Sequence, residues 1–288
     1  MHRIAILIVL LLPFGEGAGS VHPKDVPAAI VLRAAGESEA EGRDAAEELG
    51  VGTLLPAGEI PGEPGPTRLV LLLFDGSVVE ASPGFDVPSP GPEAHPVFRV
   101  TRAHLSAPDP KTPAAQGNGT ASNREGAETA APIRPTGEHQ VRSLTPRMVW
   151  HAVEGAEGYR IRLTVSEEEV LTLDAGADTV YTIPVEAALP PGGRFEWSVA
   201  ALPGEASGPS AVFSVASREL LDEVAGELSR LRGMGLDPEG EGLLVAAALF
   251  RSLRLPYDAL AALEALEARG DPWSPELVRF HDRIRAGL

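Results

Sequence analysis

The sequence predicts a multidomain chain: a small β domain, a disordered linker, an all-β sandwich and a C-terminal set of all-α helical hairpins. The chain has 288 residues, enough for two or three domains. In the middle of the chain apolar residues alternate with polar ones, and near residue 217 the spacing becomes helical. A stretch without aromatic residues separates the alternating region from an earlier group of short apolar segments.

Residues 1–20 are predicted to be a signal peptide. A short basic start precedes the unbroken apolar run at residues 4–12, and the small side chains of Ala18 and Ser20 suit cleavage after Ser20. The run is shorter than the ~20 residues of a membrane-spanning helix. We therefore expect a mature chain outside the cytoplasm, either periplasmic or secreted. The alternative is an uncleaved N-terminal segment, which would be the chain's only contact with a membrane.

Composition excludes several functions. The chain has no cysteine, which excludes disulfides, thiolate metal sites, cysteine nucleophiles and lipid attachment through cysteine. A net charge of −17 argues against nucleic acid as a partner, because such binding needs a basic surface. The sequence contains no metal-binding H-E-x-x-H motif, no phosphate-binding loop and no G-x-S-x-G motif. We therefore predict no catalytic, cofactor-binding or metal-binding residue, and a protein that is not an enzyme.

Residues 27–101 are predicted to form the small β domain. Arg68 to Phe74 is an apolar strand, Asp75-Gly76 is a hairpin turn, and Ser77 to Ala81 is the return strand. Shorter apolar pieces of the same domain lie at Val26–Leu32, Val51–Leu55, Phe85–Val87 and Val97–Val100.

The order of these pieces resembles the FecR-type domain of bacterial envelope proteins. The resemblance lies in Gly36, the step from Gly52 to Ile60, the strand Leu69–Phe74 and the tripeptide Asp75-Gly76-Ser77. Iron-signalling members of that family carry a cytoplasmic part and a membrane span before this domain. A signal peptide replaces both here, which weakens the regulatory role that the resemblance implies.

Residues 103–143 are predicted to be a disordered linker. No aromatic residue occurs between Phe98 and Trp150, and Leu105, Ile133 and Val141 are the larger aliphatic residues of the segment. Such a composition buries too little apolar surface to offset the entropy lost on folding.

Residues 144–216 are predicted to form the β-sandwich. Apolar side chains alternate with polar ones from Tyr159 to Val165 and again from Phe195 to Val199, the pattern of half-buried strands. Further short strands follow at Val170–Leu173, Val180–Ile183 and Val212–Val215, with turns between them. Trp150 and Trp197 are expected in the core, and Glu167, Glu168 and Glu169 in a solvated turn.

This module resembles a bacterial fibronectin type III domain. The resemblance rests on the spacing of Trp150, Gly155-Ala156 and Tyr159, and on Leu189–Gly192 followed by Phe195–Ala200. Phe195 stands where the family has its corner tyrosine, so the corner's hydroxyl hydrogen bond is lost. The resemblance implies a domain that binds or spaces.

Residues 217–288 are predicted to be helical. Leucine and valine recur at helical spacing from Leu220 to Leu231, and further helices are expected at Leu243–Leu253, Tyr257–Ala268 and from Pro275 to about Ala286. Ser274 is predicted to cap the last helix, with Pro275 at its first position.

The segment from Tyr257 to Leu263 resembles the second helix of a tetratricopeptide repeat. A shift of 34 residues, the period of that family, brings Leu243 onto Leu277. The alternative is a small helical bundle. The resemblance implies contact with another protein, and Tyr257, Trp273 and Phe280 are the candidate protein-binding residues. For Phe280 the alternative is a place in the core.

The sequence therefore favours a non-enzymatic exported envelope scaffold or protein-binding protein, with an envelope protein as partner and no cofactor. One alternative is a carbohydrate- or glycan-binding module, for which Tyr181, Tyr257 and Trp273 would supply exposed aromatic faces. The other is a FecR-like extracytoplasmic signalling regulator.

Overall fold

The computed structural model describes residues 27–35, 49–60, 68–82, 84–108, 129–137, 139–166, 168–204 and 208–288. The predicted signal peptide, 1–20, and residues 109–128 of the predicted linker lie outside them. The strands are β1 (Ala29–Ala35), β2 (Leu54–Leu55), β3 (Gly58–Glu59), β4 (Arg68–Leu73), β5 (Val78–Ala81), β6 (Asp86–Val87), β7 (Pro132–Arg134), β8 (Gln140–Val141), β9 (Arg147–Trp150), β10 (Gly158–Val165), β11 (Glu168–Gly176), β12 (Val180–Thr182), β13 (Arg194–Leu202) and β14 (Ala211–Val215). The helices are α1 (Pro96–Leu105), α2 (Arg218–Gly233), α3 (Leu243–Ser252), α4 (Pro256–Glu267) and α5 (Pro275–Ala286), with a 3-10 turn at Val185–Ala187.

The first sheet is antiparallel and has the strand order β2-β1-β4-β5. The predicted hairpin at Asp75-Gly76 joins β4 to β5 and is confirmed. The Leu73 N–H donates to the Ser77 carbonyl over 2.8 Å, and the Asp75 carboxylate accepts from the Ser77 N–H over 2.9 Å. Gly76 has φ +88°, a conformation that glycine adopts without strain.

Both faces of this sheet are buried. Side chains of β1 and β4 alternate between two cores, as period-two strands must. Leu69, Leu71 and Leu73 face a core that the paired strands β3 and β6 help to cover. Ile30 and Leu72 belong to a second core that they share with the helices.

The first sheet and the C-terminal helices therefore form one structural unit rather than the two modules predicted at 27–101 and 217–288. Their shared core joins strands β1 and β4 to all the helices, through Ile30, Leu32, Leu72, Phe98, Leu105, Val224, Leu228, Leu244, Phe250, Leu263, Leu277, Phe280 and Ile284. The backbone also connects them: the Val51 N–H donates to the Pro272 carbonyl over 2.7 Å, and the Ser274 N–H donates to the Val51 carbonyl over 3.0 Å. We call this unit the α+β domain.

Residues 96–105 form helix α1, so the predicted strand at Val97–Val100 is wrong. Pro96 lies in the first turn of the helix, and the His95 side chain accepts the Val97 N–H. The buried residues Phe98, Thr101 and Leu105 are three and four positions apart, so one helical face packs on the shared core. This packing outweighs the preference of valine for strands.

The C-terminal helices match their predicted bounds within two residues. Ser274 caps α5 by accepting the Leu277 N–H over 3.2 Å, and Pro275 follows at the first helical position, as predicted. The alignment at a shift of 34 holds in part. Leu243 and Leu277 are both buried, but Val278 is 43% exposed where its counterpart Leu244 is fully buried.

The middle of the chain is a sandwich of two sheets, with strand orders β12-β9-β7 and β11-β10-β13-β14-β8. It begins earlier than residue 144, because β7 and β8 lie within the predicted linker, 103–143. Strand β8 runs parallel to β14, and β7 pairs with β9. Edge strands of this length need few apolar side chains. The buried side chains of this segment are Val141 in β8 and, on either side of β7, Ala130 and Pro135.

Trp150 and Trp197 are each 1% exposed, which confirms their place in the sandwich core. The Trp197 indole N–H donates to the Pro135 carbonyl over 2.7 Å, so the segment predicted as a linker completes the core. Phe195 is buried and its ring stacks on that of Phe213. Glu168 and Glu169 begin β11 instead of lying in the predicted turn, and Glu167 lies outside the described residues. The exposed Glu168 fits an edge strand, which can carry charged side chains at its solvent-facing positions.

Helix length and polarity bear on membrane contact. Within the ranges described, no helix is both long enough and apolar enough to span a bilayer.

The joint between β2 and α5 provides a test of the shared core. Gly52 has φ +87°, and a Cβ there would lie 2.9 Å from the Leu277 Cβ. We expect Gly52→Ala to destabilise the protein by about 3 kcal/mol, from the left-handed conformation and the clash together. Denaturant unfolding measures this. Gly84→Ala is the control: its φ is +84° but the nearest atom is 3.6 Å away, so about 1 kcal/mol is expected. Equal losses would contradict the close approach.

Helix α1 provides a pH-dependent test of the same core. The His104 ring stacks on that of Phe280 at 5.3 Å, and burial, with the charges of Arg251 and Arg283, lowers the pKa of His104 to about 4. The unfolded chain binds this proton more readily. The contribution of neutral His104 to the free energy of unfolding should therefore be fully present above pH 6.5. It should be lost as the pH falls towards 4, which lowers the free energy of unfolding by on the order of 2–3 kcal/mol.

Urea unfolding at a series of pH values between 7.5 and 4 measures the His104 contribution. The variant His104→Phe keeps a ring on Phe280 and removes the titrating group, so its stability should fall less over this range. Parallel curves for the two proteins would show that His104 does not contribute.

Candidate functional site

A cleft of about 230 Å³ lies where the sandwich meets the α+β domain. One wall is helix α4, which presents Tyr257, Asp258, Ala261 and Glu264. These positions share one side of the helix, since residues three and four apart are neighbours on its surface. The other wall belongs to the sandwich and includes Arg134, Pro135, Val141, Ser143, Thr145, Pro146 and Arg147. The cleft therefore exists only when the two units are docked.

Tyr257 connects the two walls through its hydroxyl group. The hydroxyl accepts the Thr136 N–H over 2.6 Å and donates to the Thr136 carbonyl over 2.9 Å. The ring also meets that of His139 edge-on, with centroids 5.9 Å apart. Tyr257, predicted to bind a partner protein, thus forms an internal contact between the two structural units.

Asp258 forms the second connection. Its carboxylate accepts the Arg142 backbone N–H over 2.9 Å and the Arg142 Nε–H over 3.2 Å. The side chain of Asp258 is 12% exposed. Burial raises the pKa of Asp258, because removal from water penalises the charged form more than the bonds from Arg142 stabilise it. The Arg142 guanidinium also lies 5.2 Å from the centre of the Phe250 ring.

Arg134 and Glu264 form the third connection, with 2.7 Å between the guanidinium and the carboxylate. Both side chains are about one third exposed. An ion pair this accessible to water contributes up to about 1 kcal/mol to the free energy of unfolding. Its main effect is to fix the relative position of strand β7 and helix α4.

Arg147 is a cation of the cleft that takes part in none of these three connections. It begins strand β9, is exposed and lines the cleft. Within the described part of the chain, its guanidinium has no hydrogen-bond or ion-pair partner. The charged pairs of the cleft are Arg134 with Glu264 and Arg142 with Asp258. Arg147 thus gives the site an uncompensated positive charge.

The other predicted protein-binding residues lie elsewhere. Phe280 is 2% exposed and belongs to the shared core, which is the alternative place expected for it, so its ring is not available to a partner protein. Its spacing from Leu277 and Ile284 on α5 indicates this internal role. Trp273 is partly buried against the same core, and its ring meets that of His281 edge-on at 5.4 Å. The structure does not bring Trp273 or Phe280 into the cleft.

The cleft presents groups that could bind a ligand. It offers apolar surface from prolines, valine and alanine, the Ser143 and Thr145 hydroxyls and the Arg147 guanidinium. No group of three or more histidine, aspartate or glutamate side chains is placed to hold a metal ion in the ranges that the structure describes.

The comparisons with known proteins concern fold. No family model matches the sequence, and no curated protein matches it. A Fn3-like protein from Clostridium thermocellum is 21% identical, with a TM-score of 0.23; the match covers 30% of this chain and 96% of that one. The fn3 domain of human collagen alpha-1(XX) chain is 24% identical, with a TM-score of 0.23, and the match covers 32% and 86% of the two chains. A redesigned β-sandwich protein is 20% identical over 30% of this chain and 95% of its own, with a TM-score of 0.24.

The sequence interpretation missed the sandwich wall of the cleft, because Arg134 and Val141 fell within the predicted linker. One signal was available. The segment from Arg134 to Arg142 directly precedes the alternating strands in the sequence. It was therefore close enough to supply an edge strand to each sheet of the sandwich, as β7 and β8 do. The pairing of Arg142 with Asp258, 116 residues later, has no sequence signature.

The Tyr257 hydroxyl provides a test of the docked arrangement. Tyr257→Phe leaves the Thr136 N–H and carbonyl without this partner, so we expect a loss of about 1–3 kcal/mol in stability. Amide hydrogen exchange should show faster exchange at Thr136. The control is Tyr181→Phe, because the Tyr181 hydroxyl has no hydrogen-bond partner within the described ranges. Unchanged exchange at Thr136 in Tyr257→Phe would contradict the connection.

Proposed function

We propose that the chain is a non-enzymatic scaffold protein, exported to the bacterial cell envelope, that binds a partner protein. The observation that carries this proposal is the cleft between the sandwich and helix α4. Two units with separate cores are held together there by the Tyr257, Asp258 and Arg134 contacts. The remaining surface combines apolar side chains with the Ser143 and Thr145 hydroxyls and one unpaired cation, Arg147. Such a surface suits recognition of a partner, because no other described residue covers the apolar area of the cleft or pairs with its charge.

We further propose that the sandwich is of the fibronectin type III kind. The order of its strands supports this. Sheets of three and of five strands pack face to face, and the first segment contributes β7 to one sheet and β8 to the other. The buried Trp150 lies against Tyr159, whose hydroxyl accepts the Val153 N–H over 2.9 Å. Domains of this type hold other surfaces at a fixed spacing.

The FecR-like and tetratricopeptide-like assignments of the terminal segments also remain proposals. The Asp75-Gly76-Ser77 turn supports the first, and the contact between the consecutive helices α3 and α4 is compatible with the second. Because both segments share one core, we propose that they act as a single platform for the sandwich.

Glycan binding has less support from the aromatic side chains considered for it. A sugar ring stacks only on an aromatic face that is open to solvent. The Tyr257 ring packs against the sandwich core and meets His139 edge-on, Trp273 packs on the shared core, and Tyr181 packs on the sandwich core. Protein binding through the cleft is therefore the function that we favour.

Site-specific photo-cross-linking tests the proposed function. A photoreactive amino acid replaces Ala261, which is exposed on the cleft wall, in the full-length chain expressed in its own host. We expect one defined protein to be cross-linked, recovered from the extracytoplasmic fraction and identified by mass spectrometry. Point substitution is required because deletion of residues 217–288 would remove most of the shared core.

The matched control carries the same photoreactive amino acid at Ala225, an exposed position on helix α2 outside the cleft. A partner captured at Ala261 and not at Ala225 would support recognition through the cleft. Recovery of the chain from the cytoplasm, or the same proteins at both positions, would contradict the proposal.

A further inference from the structure

The cleft has a charge balance that selects its ligand. Two arginine–carboxylate pairs cancel, and the exposed Arg147 adds one positive charge. The protein as a whole has a net charge of −17. A ligand with many negative charges would be repelled at long range, whereas one with a single carboxylate would lose little. The ligand that fits this balance carries one negative charge.

The size and lining of the cleft restrict the ligand further. A volume of about 230 Å³ is smaller than the ~300–1,000 Å³ of typical small-molecule sites, and suits one or two residues of a peptide. Pro135, Val141, Pro146 and Ala261 make much of its surface apolar. The ligand should therefore place an apolar side chain next to its carboxylate.

Hydroxyl groups beside Arg147 add hydrogen-bond donors. Thr145 lies two residues before Arg147, and its N–H donates to the Ser143 hydroxyl oxygen over 3.1 Å. This bond uses the Ser143 oxygen as acceptor and fixes the turn that leads into β9. A hydroxyl hydrogen from this turn, together with the guanidinium, can be donated to a carboxylate.

We propose that the cleft binds the C-terminal residue of a partner protein, with the terminal carboxylate on Arg147 and an apolar terminal side chain between Pro146 and Ala261. This inference rests on the proposed function and names the chemistry of the partner. A C-terminal apolar residue supplies the carboxylate and the apolar group from one residue, as the cleft volume requires. An internal aspartate supplies the carboxylate alone.

Nuclear magnetic resonance titration of the exported chain, residues 21–288, tests this inference with defined probes. N-acetyl-leucine carries the free carboxylate and the apolar side chain, and N-acetyl-leucine amide lacks the charge. N-acetyl-aspartate α-methylamide, which keeps only its side-chain carboxylate, represents an internal aspartate. We expect N-acetyl-leucine to shift the amide signals of Thr145 and Ala261 in a saturable manner. The other two probes should bind at least about tenfold more weakly.

Substitutions separate the role of Arg147 from that of charge in general. Arg147→Ala should weaken binding of N-acetyl-leucine at least about tenfold. Arg147→Lys keeps the charge but loses the planar guanidinium, so its affinity should lie between those of the unsubstituted protein and Arg147→Ala. Arg99→Ala is the matched control. Arg99 is an exposed arginine on α1, outside the cleft, and should leave the affinity unchanged. The unfolding midpoint of each variant verifies that it is folded.

Each result decides between outcomes. The proposed C-terminal recognition would be overturned if N-acetyl-leucine caused no saturable shift, or if its amide or the aspartate probe bound equally well. Binding of N-acetyl-leucine that Arg147→Ala leaves unaffected would also overturn it. If a partner is nevertheless cross-linked at Ala261, the proposed function stands and only this inference fails. If neither a probe nor a partner binds, both fail.

Discussion

The two apolar faces of strands β1 and β4 constrain the rest of the structure. Each strand directs one set of side chains towards the β3–β6 pair and the other towards the helices, so neither face can meet water. Burial of a leucine contributes about 1.5–3 kcal/mol, and Leu72 and Leu32 are fully buried only when the C-terminal helices are in place. The first and last segments of the described chain must therefore fold together.

This constraint determines how the sandwich is placed. Residues 129–216 form their own core and lie in the sequence between the two parts of the α+β domain. The segment that follows β14 begins α2, where the Ser217 side chain accepts the Leu220 N–H. Tyr257, Asp258 and Arg134 then add side-chain contacts at a second place. A sandwich that continues directly into α2 and also makes these side-chain contacts has limited freedom to rotate.

The sequence predicted elements better than it predicted their assembly. Period-two and helical spacing are local, so Tyr159–Val165 and the C-terminal helices were located closely. The continuous apolar run at Val70–Leu73 is typical of a strand buried on both faces, which should have indicated a second covering layer. Helix α1 was missed because valine favours strands when tertiary packing is ignored. Strands β7 and β8 were missed because edge strands contain too few apolar side chains to stand out from a linker.

The candidate site follows from assembly and was therefore beyond prediction from local pattern. Its two walls come from residues more than 100 positions apart, and its charge is what remains after Arg134 and Arg142 are paired. A ligand bound there would touch both the sandwich and helix α4, and so would bind only the docked arrangement. By mass action it would stabilise that arrangement. The same contacts that define the cleft would then connect recognition of a partner to the rigidity of the whole protein, because an undocked sandwich has no cleft to offer.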